Sequence, residues 1–422
     1  MGIFNDCLAY CFPNNIEEDE ENKKLDYNEI ESCKFENDER KYYYKSGPNE
    51  IDRLNKELGE NKKIVFIDDL NLSKNIPVGL ENLGGCCYMN ACLQCFYHCK
   101  LFSISILKNK EVLQYKNSPI ANALVDLLEG LYQNGKPENI NGRKSNPHSA
   151  KKFYDVIIKK YPSFREFFGN DPKLVAELIL IFMQQELVPN FSFRPDRSIN
   201  KCNEEELFEN IYSEYKKNTT SVWENFHFIE KKKSICSECL TNNPDKCNTY
   251  TFKDYHMHYF YIGSICKKFD IKNCTLYDCF NYYNEPDTEE SLEFKCFSCK
   301  KRVKGKQILY YMATLPNYLL ICFGKENENR EEYKILMKME IDLKKYFEPC
   351  KAYNGSRETK YKFHAGVFIR GNETHAIAIC RNFNGKLYEF NDTICFPVSE
   401  DIKKLNEEKP YLLFYRRSDL NI

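Results

Sequence analysis

The sequence predicts an α+β fold in which helices come first along the chain and antiparallel strands come last. Apolar residues recur at helical spacing from residue 79 to about 216, whereas short apolar runs separated by turn residues fill 361–417. Strand-like segments with two Cys-x-x-Cys pairs lie between these regions. Helices and strands segregated in this way are typical of the α+β class.

The first predicted helix begins at Cys87, because apolar residues recur behind it at helical spacing, including Met89 and Phe96. A second helix begins at Ser118-Pro119, since proline is favoured in the first turn of a helix. Three further segments are predicted to be helical, namely Ser149–Lys160, Pro172–Glu186 and Glu204–Tyr215.

Strands are predicted from Ser221 to about Phe323 and again in the last part of the chain. The pair Asn384-Gly385 lies between two apolar runs, which is a strong signal for a β-hairpin. We therefore expect an antiparallel sheet whose strands include Phe363–Ile369, Ala376–Cys380 and Leu387–Phe390.

Composition excludes several classes of protein. Hydrophobic residues make up 42% and aromatic residues 14% of the 422 residues, so a substantial core is expected. The net charge of −1 offers no basic surface for nucleic acid. No apolar run reaches the roughly 18 residues of a membrane-spanning helix. The 21 cysteines come without a secretory signal, which indicates a reducing compartment.

Residues 1–75 are predicted to form an acidic, partly disordered arm, with an acidic run at Glu17–Glu21 and one strand-like piece at Ile64–Ile67. A possible dual-lipid anchor lies at its start, where Gly2 is followed by two cysteines, Cys7 and Cys11. Position 6 is aspartate where the acylation motif prefers Ser or Thr, so we expect a cytoplasmic protein without a lipid anchor, with a nuclear location as the alternative.

The segment Gly79–Gln94 places Cys87 shortly after a glycine pair and at the start of a predicted helix. The positive end of a helix dipole lowers the pKa of a thiol, which favours a nucleophilic thiolate. Asn82 lies five residues earlier, where its amide can donate to a developing oxyanion. The alternative is a buried structural cysteine in a cysteine-rich chain.

His375 is predicted at the start of one strand, and Asn391 and Asp392 at the end of the next. Neighbouring antiparallel strands can bring these groups side by side. A histidine can then take the proton of Cys87 while Asn391 or Asp392 holds its tautomer. The alternative is an ordinary strand histidine followed by an ordinary turn.

Two Cys-x-x-Cys pairs predict a structural zinc site with four thiolate ligands: Cys236, Cys239, Cys296 and Cys299. Four free thiols or a redox pair are the alternatives, but the absence of a secretory signal favours zinc. The other cysteines of this region lack the spacing and are interpreted as small apolar core residues: Cys247, Cys266, Cys274 and Cys279.

These segments resemble the cysteine and histidine boxes of the ubiquitin-specific proteases. The first box of that family reads G-L-x-N-L-G-N-T-C-Y-M-N-S-x-L-Q. This chain matches it at Gly79, Leu80, Asn82, Leu83, Gly84, Cys87, Tyr88, Met89, Asn90, Leu93 and Gln94. His375 matches the family's G-H-Y histidine, and Pro410–Arg417 is similar to its last strand.

The resemblance implies a papain-like cysteine protease fold over residues 76–418. A helical thumb is expected at about 79–216, fingers with a zinc ribbon at about 221–310 and an antiparallel palm sheet at about 311–417. In these terms Cys87 is the nucleophile, Asn82 the oxyanion-hole amide and Asn391 the residue that orients His375. Asp392 matches the acidic residue that often follows.

Several residues depart from the family pattern. Gly85 and Cys86 stand in place of Asn-Thr before the nucleophile, and Ile369 stands where a histidine is usual. Thr374 and Ala376 replace the glycine and tyrosine that border the channel for the Gly-Gly tail of ubiquitin. The acidic box of the family is kept mainly at one residue, Glu177. These changes leave the chemistry intact and bear on recognition.

The sequence thus predicts a thiol-dependent, monomeric deubiquitinase that cleaves the isopeptide bond between ubiquitin and a lysine. A protease for a ubiquitin-like modifier and a weakly active ubiquitin-binding module are the alternatives. A protease for ordinary peptides is disfavoured, because a small peptide would not need the extended finger region. The expected partners are ubiquitin or a ubiquitin-like protein and its conjugates.

Overall fold

The structure is a computed structural model, and it describes residues 74–108, 118–137, 145–162, 171–187, 204–217, 220, 225–242, 248–284, 293–296, 298–324, 333–371 and 374–420. These residues belong to one compact unit, Phe66–Phe191 together with Ser198–Ile422. The predictions for the N-terminal arm, its lipid anchor and Cys247 lie outside the described residues.

The first part of the described chain is helical, as the apolar periodicity predicts. Its helices are α1 (Cys87–His98), α2 (Lys100–Lys108), α3 (Pro119–Asn134), α4 (Lys151–Lys160), α5 (Pro172–Leu187) and α6 (Glu204–Lys217). Every residue of α1 is buried, because this helix is packed against α5 and against the sheet formed by the last part of the chain. Within the described ranges, no helix has the length and apolar character needed to cross a membrane.

A four-stranded antiparallel sheet forms the next part, in the order β2-β1-β6-β5. Its strands are β1 (Phe228–Cys236), β2 (Asn248–Tyr255), β5 (Glu293–Lys295) and β6 (Arg302–Met312). The short helix α7 (Ser237–Asn242) directly follows β1. The first Cys-x-x-Cys pair therefore lies where a strand meets a helix.

An eight-stranded sheet carries the last part of the chain, in the order β13-β12-β11-β10-β14-β7-β3 with β9 also paired to β10. Its strands are β3 (His258–Tyr261), β7 (Tyr318–Gly324), β9 (Glu340–Asp342), β10 (Lys360–Arg370), β11 (His375–Arg381), β12 (Leu387–Asn391), β13 (Ile394–Pro397) and β14 (Lys409–Arg417). All its pairings are antiparallel except β3 with β7, which is parallel. The smaller elements are α8 (Ile262–Phe269), β4 (Asn273–Thr275), α9 (Leu276–Asn284), β8 (Lys334–Leu336) and α10 (Ile402–Leu405).

The eight-stranded sheet is buried on both faces. Along β14, Leu412 and Phe414 join the core beneath the helices, whereas Leu413 and Tyr415 join a second core on the opposite face. Successive side chains of a strand point to opposite faces, so a strand covered on both sides is apolar throughout. This explains the continuous apolar runs in the sequence.

The region predicted as strands from Ser221 to Phe323 also contains three helices, α7, α8 and α9. The prediction of strands alone was therefore wrong. In α8, the buried residues Ile262, Ile265 and Cys266 have the spacing of one helical face, and this signal was present in the sequence. Cys274 and Cys279 are buried in the same core, as predicted for small apolar residues.

Candidate active site

A loop stabilised by Asn82 brings the chain to the start of α1. Gly84 and Gly85 have φ angles of 92° and 80°, a region that glycine enters without steric cost. The Asn82 Oδ1 atom accepts hydrogen bonds from the backbone N–H groups of Gly84 at 3.0 Å and Cys86 at 3.3 Å. Asparagine, the usual family residue at position 85, also tolerates this backbone region, so glycine there preserves the loop.

The cysteine box is joined directly to the turn between β12 and β13. The backbone N–H of Leu80 donates to the carbonyl of Asp392 at 2.9 Å. A Cβ atom on Gly79 would lie 2.6 Å from the same carbonyl oxygen and from the backbone of Thr393. Only glycine permits this approach, which brings residues more than 300 positions apart into one site.

His375 and Asn391 form a hydrogen-bonded pair, with 2.8 Å between His375 Nε2 and Asn391 Oδ1. They are diagonal neighbours on adjacent strands, since Ala378 of β11 pairs with Phe390 of β12. An amide oxygen can only accept, so this contact requires the proton on Nε2. The other ring nitrogen, Nδ1, is then free to act as a base.

Asp392 contacts two amides rather than the histidine. Its Oδ2 atom accepts from Asn82 Nδ2 at 2.8 Å, and its Oδ1 atom accepts from Asn90 Nδ2 at 2.8 Å. Its φ angle of 49° belongs to the left-handed region, which aspartate tolerates in tight turns. Asn391 is therefore the residue that contacts His375, whereas Asp392 holds the side-chain amide of Asn82 in place.

Asn90 matches the cysteine box of the family, but the sequence analysis predicted no role for it. Its amide donates both to Asp392 and to the carbonyl of Glu81 at 3.1 Å, so it ties the turn to the loop before α1. A signal for this role existed, because Asn90 is a polar residue on a helix that is buried along its whole length. Buried polar side chains usually have hydrogen-bond partners.

Cys87 is the first residue of α1, and only 5% of its surface is exposed. Burial raises its pKa above the ordinary value, and the negative charge of Asp392 adds to this effect. A hydrogen bond from the backbone N–H of Ala376 acts in the opposite direction. In this structure, burial therefore outweighs the expected lowering of the Cys87 pKa by the helix dipole.

The neighbours of His375 differ in exposure. Thr374 is exposed, and its hydroxyl group donates to the carbonyl of Gly371. Ala376 is 1% exposed and lies opposite Ile369, which is 4% exposed, in the pairing of β10 with β11. The small side chain at position 376 therefore belongs to the core under α1.

Glu177 of α5 is also buried, and its carboxylate lies 3.8 Å from Lys173 Nζ. Burial raises the pKa of Glu177 to about 7 in spite of this cation. Its carboxyl group is therefore partly protonated at neutral pH.

An ion-pair network that the sequence did not reveal stabilises the end of β10. Arg370 lies opposite His375 and contacts Glu389 at 2.7 Å and Glu408 at 2.9 Å. The side chain of Glu389 is 5% exposed, so the ion pair with Arg370 is buried on the glutamate side. The hydrogen bond to Glu408, with that to Glu389, raises the pKa of Arg370.

The four cysteines of the two Cys-x-x-Cys pairs come together although they lie far apart in the sequence. Their Sγ atoms all lie within 4.8 Å of one another, with 3.6 Å between Cys239 and Cys296 and 3.9 Å between Cys236 and Cys299. Tetrahedral zinc–thiolate bonds of about 2.3 Å place sulfur atoms about 3.8 Å apart. The cluster therefore has the donor set and the dimensions to hold a metal ion.

Comparisons with known proteins agree with this geometry. The family model described as ubiquitin carboxyl-terminal hydrolase matches residues 78–415. A curated relative, the probable ubiquitin carboxyl-terminal hydrolase 4 of Schizosaccharomyces pombe, is 23% identical over 395 residues. The match covers 86% of this chain but 62% of the relative, so the chain spans less than two thirds of the relative's length.

Solved structures show the same fold. The SAGA Ubp8/Sgf11/Sus1/Sgf73 DUB module bound to ubiquitin aldehyde matches with a TM-score of 0.58 and 18% identity, over 83% of this chain and 71% of that chain. The module bound to monoubiquitin matches with a TM-score of 0.58 and 17% identity, over the same shares of the two chains.

The fold is that of a papain-like cysteine protease. Because the family model spans most of the chain, the protein belongs to the ubiquitin carboxyl-terminal hydrolase family of cysteine-type deubiquitinases. The family and the mixed helix-and-sheet fold predicted from the sequence are confirmed. The roles of the individual site residues remain predictions.

Proposed function

We propose that this protein is a thiol-dependent deubiquitinase that hydrolyses the isopeptide bond between the C-terminal glycine of ubiquitin and a lysine side chain. The observation that carries the proposal is that the cysteine box and the strands that bear His375 and Asn391, which are distant in the sequence, are in contact in the structure. Helix α1, which begins at Cys87, is packed against β11, which begins at His375. The turn that follows Asn391 holds the amide of Asn82 through Asp392, and the Asn82 oxygen accepts from the backbone N–H of Cys86, the residue before Cys87.

In the proposed reaction, Cys87 Sγ attacks the carbonyl carbon of the modifier's last glycine. His375 Nδ1 takes the thiol proton as the sulfur attacks, which suits a thiol whose pKa is raised by burial. The imidazolium then gives this proton to the lysine amine, which leaves. Water attacks the resulting thioester, returns its proton through His375 and releases the modifier with a free carboxylate.

Asn82 is the proposed donor to the oxyanion that forms in both tetrahedral intermediates. Its oxygen is held by two backbone N–H groups and its amide by Asp392, so the Nδ2 group is oriented before the substrate arrives. A donor oriented in advance costs no reorganisation during the reaction. Asp392 is a positioning residue in this scheme.

A ubiquitin probe with a C-terminal electrophile tests the proposal, and Cys86 supplies a matched control. Cys86 is the adjacent cysteine and is 4% exposed. The wild type and the Cys86→Ala variant should form a covalent adduct and hydrolyse ubiquitin conjugates, whereas Cys87→Ala should do neither and still bind ubiquitin. Turnover by Cys87→Ala, or its loss in a folded Cys86→Ala variant, would contradict the assignment of Cys87.

Thr374 favours a second candidate substrate, a ubiquitin-like modifier, because this exposed residue replaces the glycine at the tail channel. The same experiment with probes of ubiquitin-like proteins separates the candidates. Labelling by the ubiquitin probe alone supports a deubiquitinase, and labelling by another modifier's probe alone supports a protease for that ubiquitin-like modifier. Binding of ubiquitin with no labelling by any probe would support the weakly active binding module.

We also propose that the four-cysteine cluster binds one structural zinc ion. Four thiolates leave no open coordination position, so the ion would connect the β1–α7 junction to the β5–β6 turn without taking part in catalysis. An ion pair between Lys301 and Glu238 at 2.7 Å already links these two segments. Elemental analysis of protein purified under reducing conditions should find one zinc per chain, and Cys239→Ser should lose it; metal-free wild-type protein would refute the proposal.

A further inference from the structure

A cavity of 480 Å³ lies at the end of α1 that is remote from Cys87. His98, the last residue of α1, and Lys100, the first residue of α2, form one wall. Cys87 and His98 are the first and last residues of a 12-residue helix, so they lie about 16 Å apart. The cavity is therefore separate from the candidate active site.

The opposite wall places cations on neighbouring strands of the eight-stranded sheet. Lys362 of β10 lies directly opposite Arg416 of β14, and both line the cavity. Like charges directly opposite one another destabilise a sheet. Arg381 of β11 also lines the cavity, and its charge lowers the pKa of Arg416 in addition to the larger effect of burial. Cations brought together in this way favour an anionic ligand.

Two carboxylates line the cavity as well, and they do not cancel these charges. Glu400 is paired with Arg381 at 2.8 Å and 3.2 Å, and Glu340 of β9 lies opposite Lys362. Four basic side chains thus face two acidic ones, which leaves two positive charges in excess.

A buried histidine adds polar character without adding charge. His364 lines the cavity and is 5% exposed, and its Nε2 atom contacts the carbonyl oxygen of His98 at 2.8 Å. Its Nδ1 atom has no hydrogen-bond partner among the described residues. Burial and the nearby guanidinium groups of Arg416 and Arg381 lower its pKa to about 3, so the ring is neutral at pH 7. Because the carbonyl of His98 can only accept, the ring proton is on Nε2, and Nδ1 is an acceptor suited to a water or to an O–H group of a ligand rather than to phosphate oxygens.

We propose that this cavity binds the phosphate group of a small phosphate monoester. Such a group carries nearly two negative charges at neutral pH, which matches the excess of two cations. Arginine and lysine are the usual ligands of phosphate. The rest of the wall includes Met339, Phe363 and Phe383, which suit the carbon skeleton of the ester. The volume of the cavity exceeds the needs of a single inorganic ion.

Calorimetric titration of the full chain with phenyl phosphate tests the proposal. Lys100→Gln and Arg416→Gln should each weaken binding about tenfold, because each removes one charged partner of the phosphate. Lys159→Gln is the matched control, since Lys159 is an exposed residue of α4 that does not line the cavity. Thermal melting of each variant checks that it is folded. If Arg416→Gln does not fold, Lys100→Gln still tests the proposal.

Inorganic phosphate should bind more weakly than phenyl phosphate, because it lacks the ring, and benzenesulfonate should bind more weakly because it carries one charge. The absence of phenyl phosphate binding at low ionic strength would overturn the proposal. Equal binding of benzenesulfonate would overturn the assignment of a phosphate ligand. Equal effects of Lys100→Gln and Lys159→Gln would show that binding takes place elsewhere.

Discussion

Replacement of Asp392 by alanine tests whether this residue acts through Asn82. The Asp392 carboxylate accepts one hydrogen bond from Asn82 and one from Asn90, each at 2.8 Å. Without it, the Asn82 amide is still tethered through its oxygen by the N–H groups of Gly84 and Cys86. The side chain would therefore keep its place but lose the restraint on its donor group.

The size of the effect follows from this difference. Removal of an oxyanion donor costs about 2.7–4 kcal/mol, which is roughly a hundredfold to a thousandfold in kcat, and we expect this for Asn82→Ala. In the Asp392→Ala variant the Asn82 donor remains but is less well oriented, so only part of its stabilisation of the oxyanion should be lost. We therefore expect this variant to lower kcat by about tenfold to a hundredfold. The double variant should be no slower than Asn82→Ala, because both changes affect the same donor.

Hydrolysis of a fluorogenic ubiquitin substrate measures kcat, and the Kd of ubiquitin for each variant separates catalysis from binding. A second measurement distinguishes positioning from a loss of folding. The charge of Asp392 contributes to the raised pKa of Cys87, so Asp392→Ala should lower the pH at which Cys87 is alkylated. Full activity of Asp392→Ala, or effects of Asn82→Ala and Asp392→Ala that multiply in the double variant, would refute the reasoning.

Three further outcomes are expected. Alkylation of wild-type Cys87 should accelerate with pH and level off only above the range in which an ordinary cysteine titrates, since burial raises its pKa; a plateau below pH 7 would instead indicate a preformed thiolate. Gly79→Ala should destabilise the fold by about 1–3 kcal/mol in urea unfolding, because its Cβ would clash with the backbone of Asp392; an unchanged midpoint would contradict this. Arg370→Met should cost about 2 kcal/mol in urea unfolding at pH 7, because it leaves the buried carboxylate of Glu389 without its cation; an unchanged midpoint would argue against it.

Local patterns were sufficient for much of the fold. The helix after Cys87 and the helix after Ser118 follow from apolar spacing and a proline, and both are present in the structure. The helices α8 and α9 were not predicted, because segments of eight and nine residues are short enough for their apolar pattern to fit a strand as well as a helix. The parallel pairing of β3 with β7 could not be read from the sequence either, because those strands are separated by about 60 residues and joined by no short turn.

The sequence by itself determined the kinds of chemical group available: a thiol at a helix start, a histidine at a strand start, two asparagines, and two cysteine pairs. These depend on residue type and local spacing, which one sequence displays. Tertiary structure alone decided which group contacts which. Asp392 contacts Asn82 and Asn90 rather than His375, and Gly79 is packed against a turn more than 300 residues away. The pKa of Cys87 was decided in the same way, because the dehydration of a thiol depends on every element packed around it, and that burial outweighs the local field of its helix.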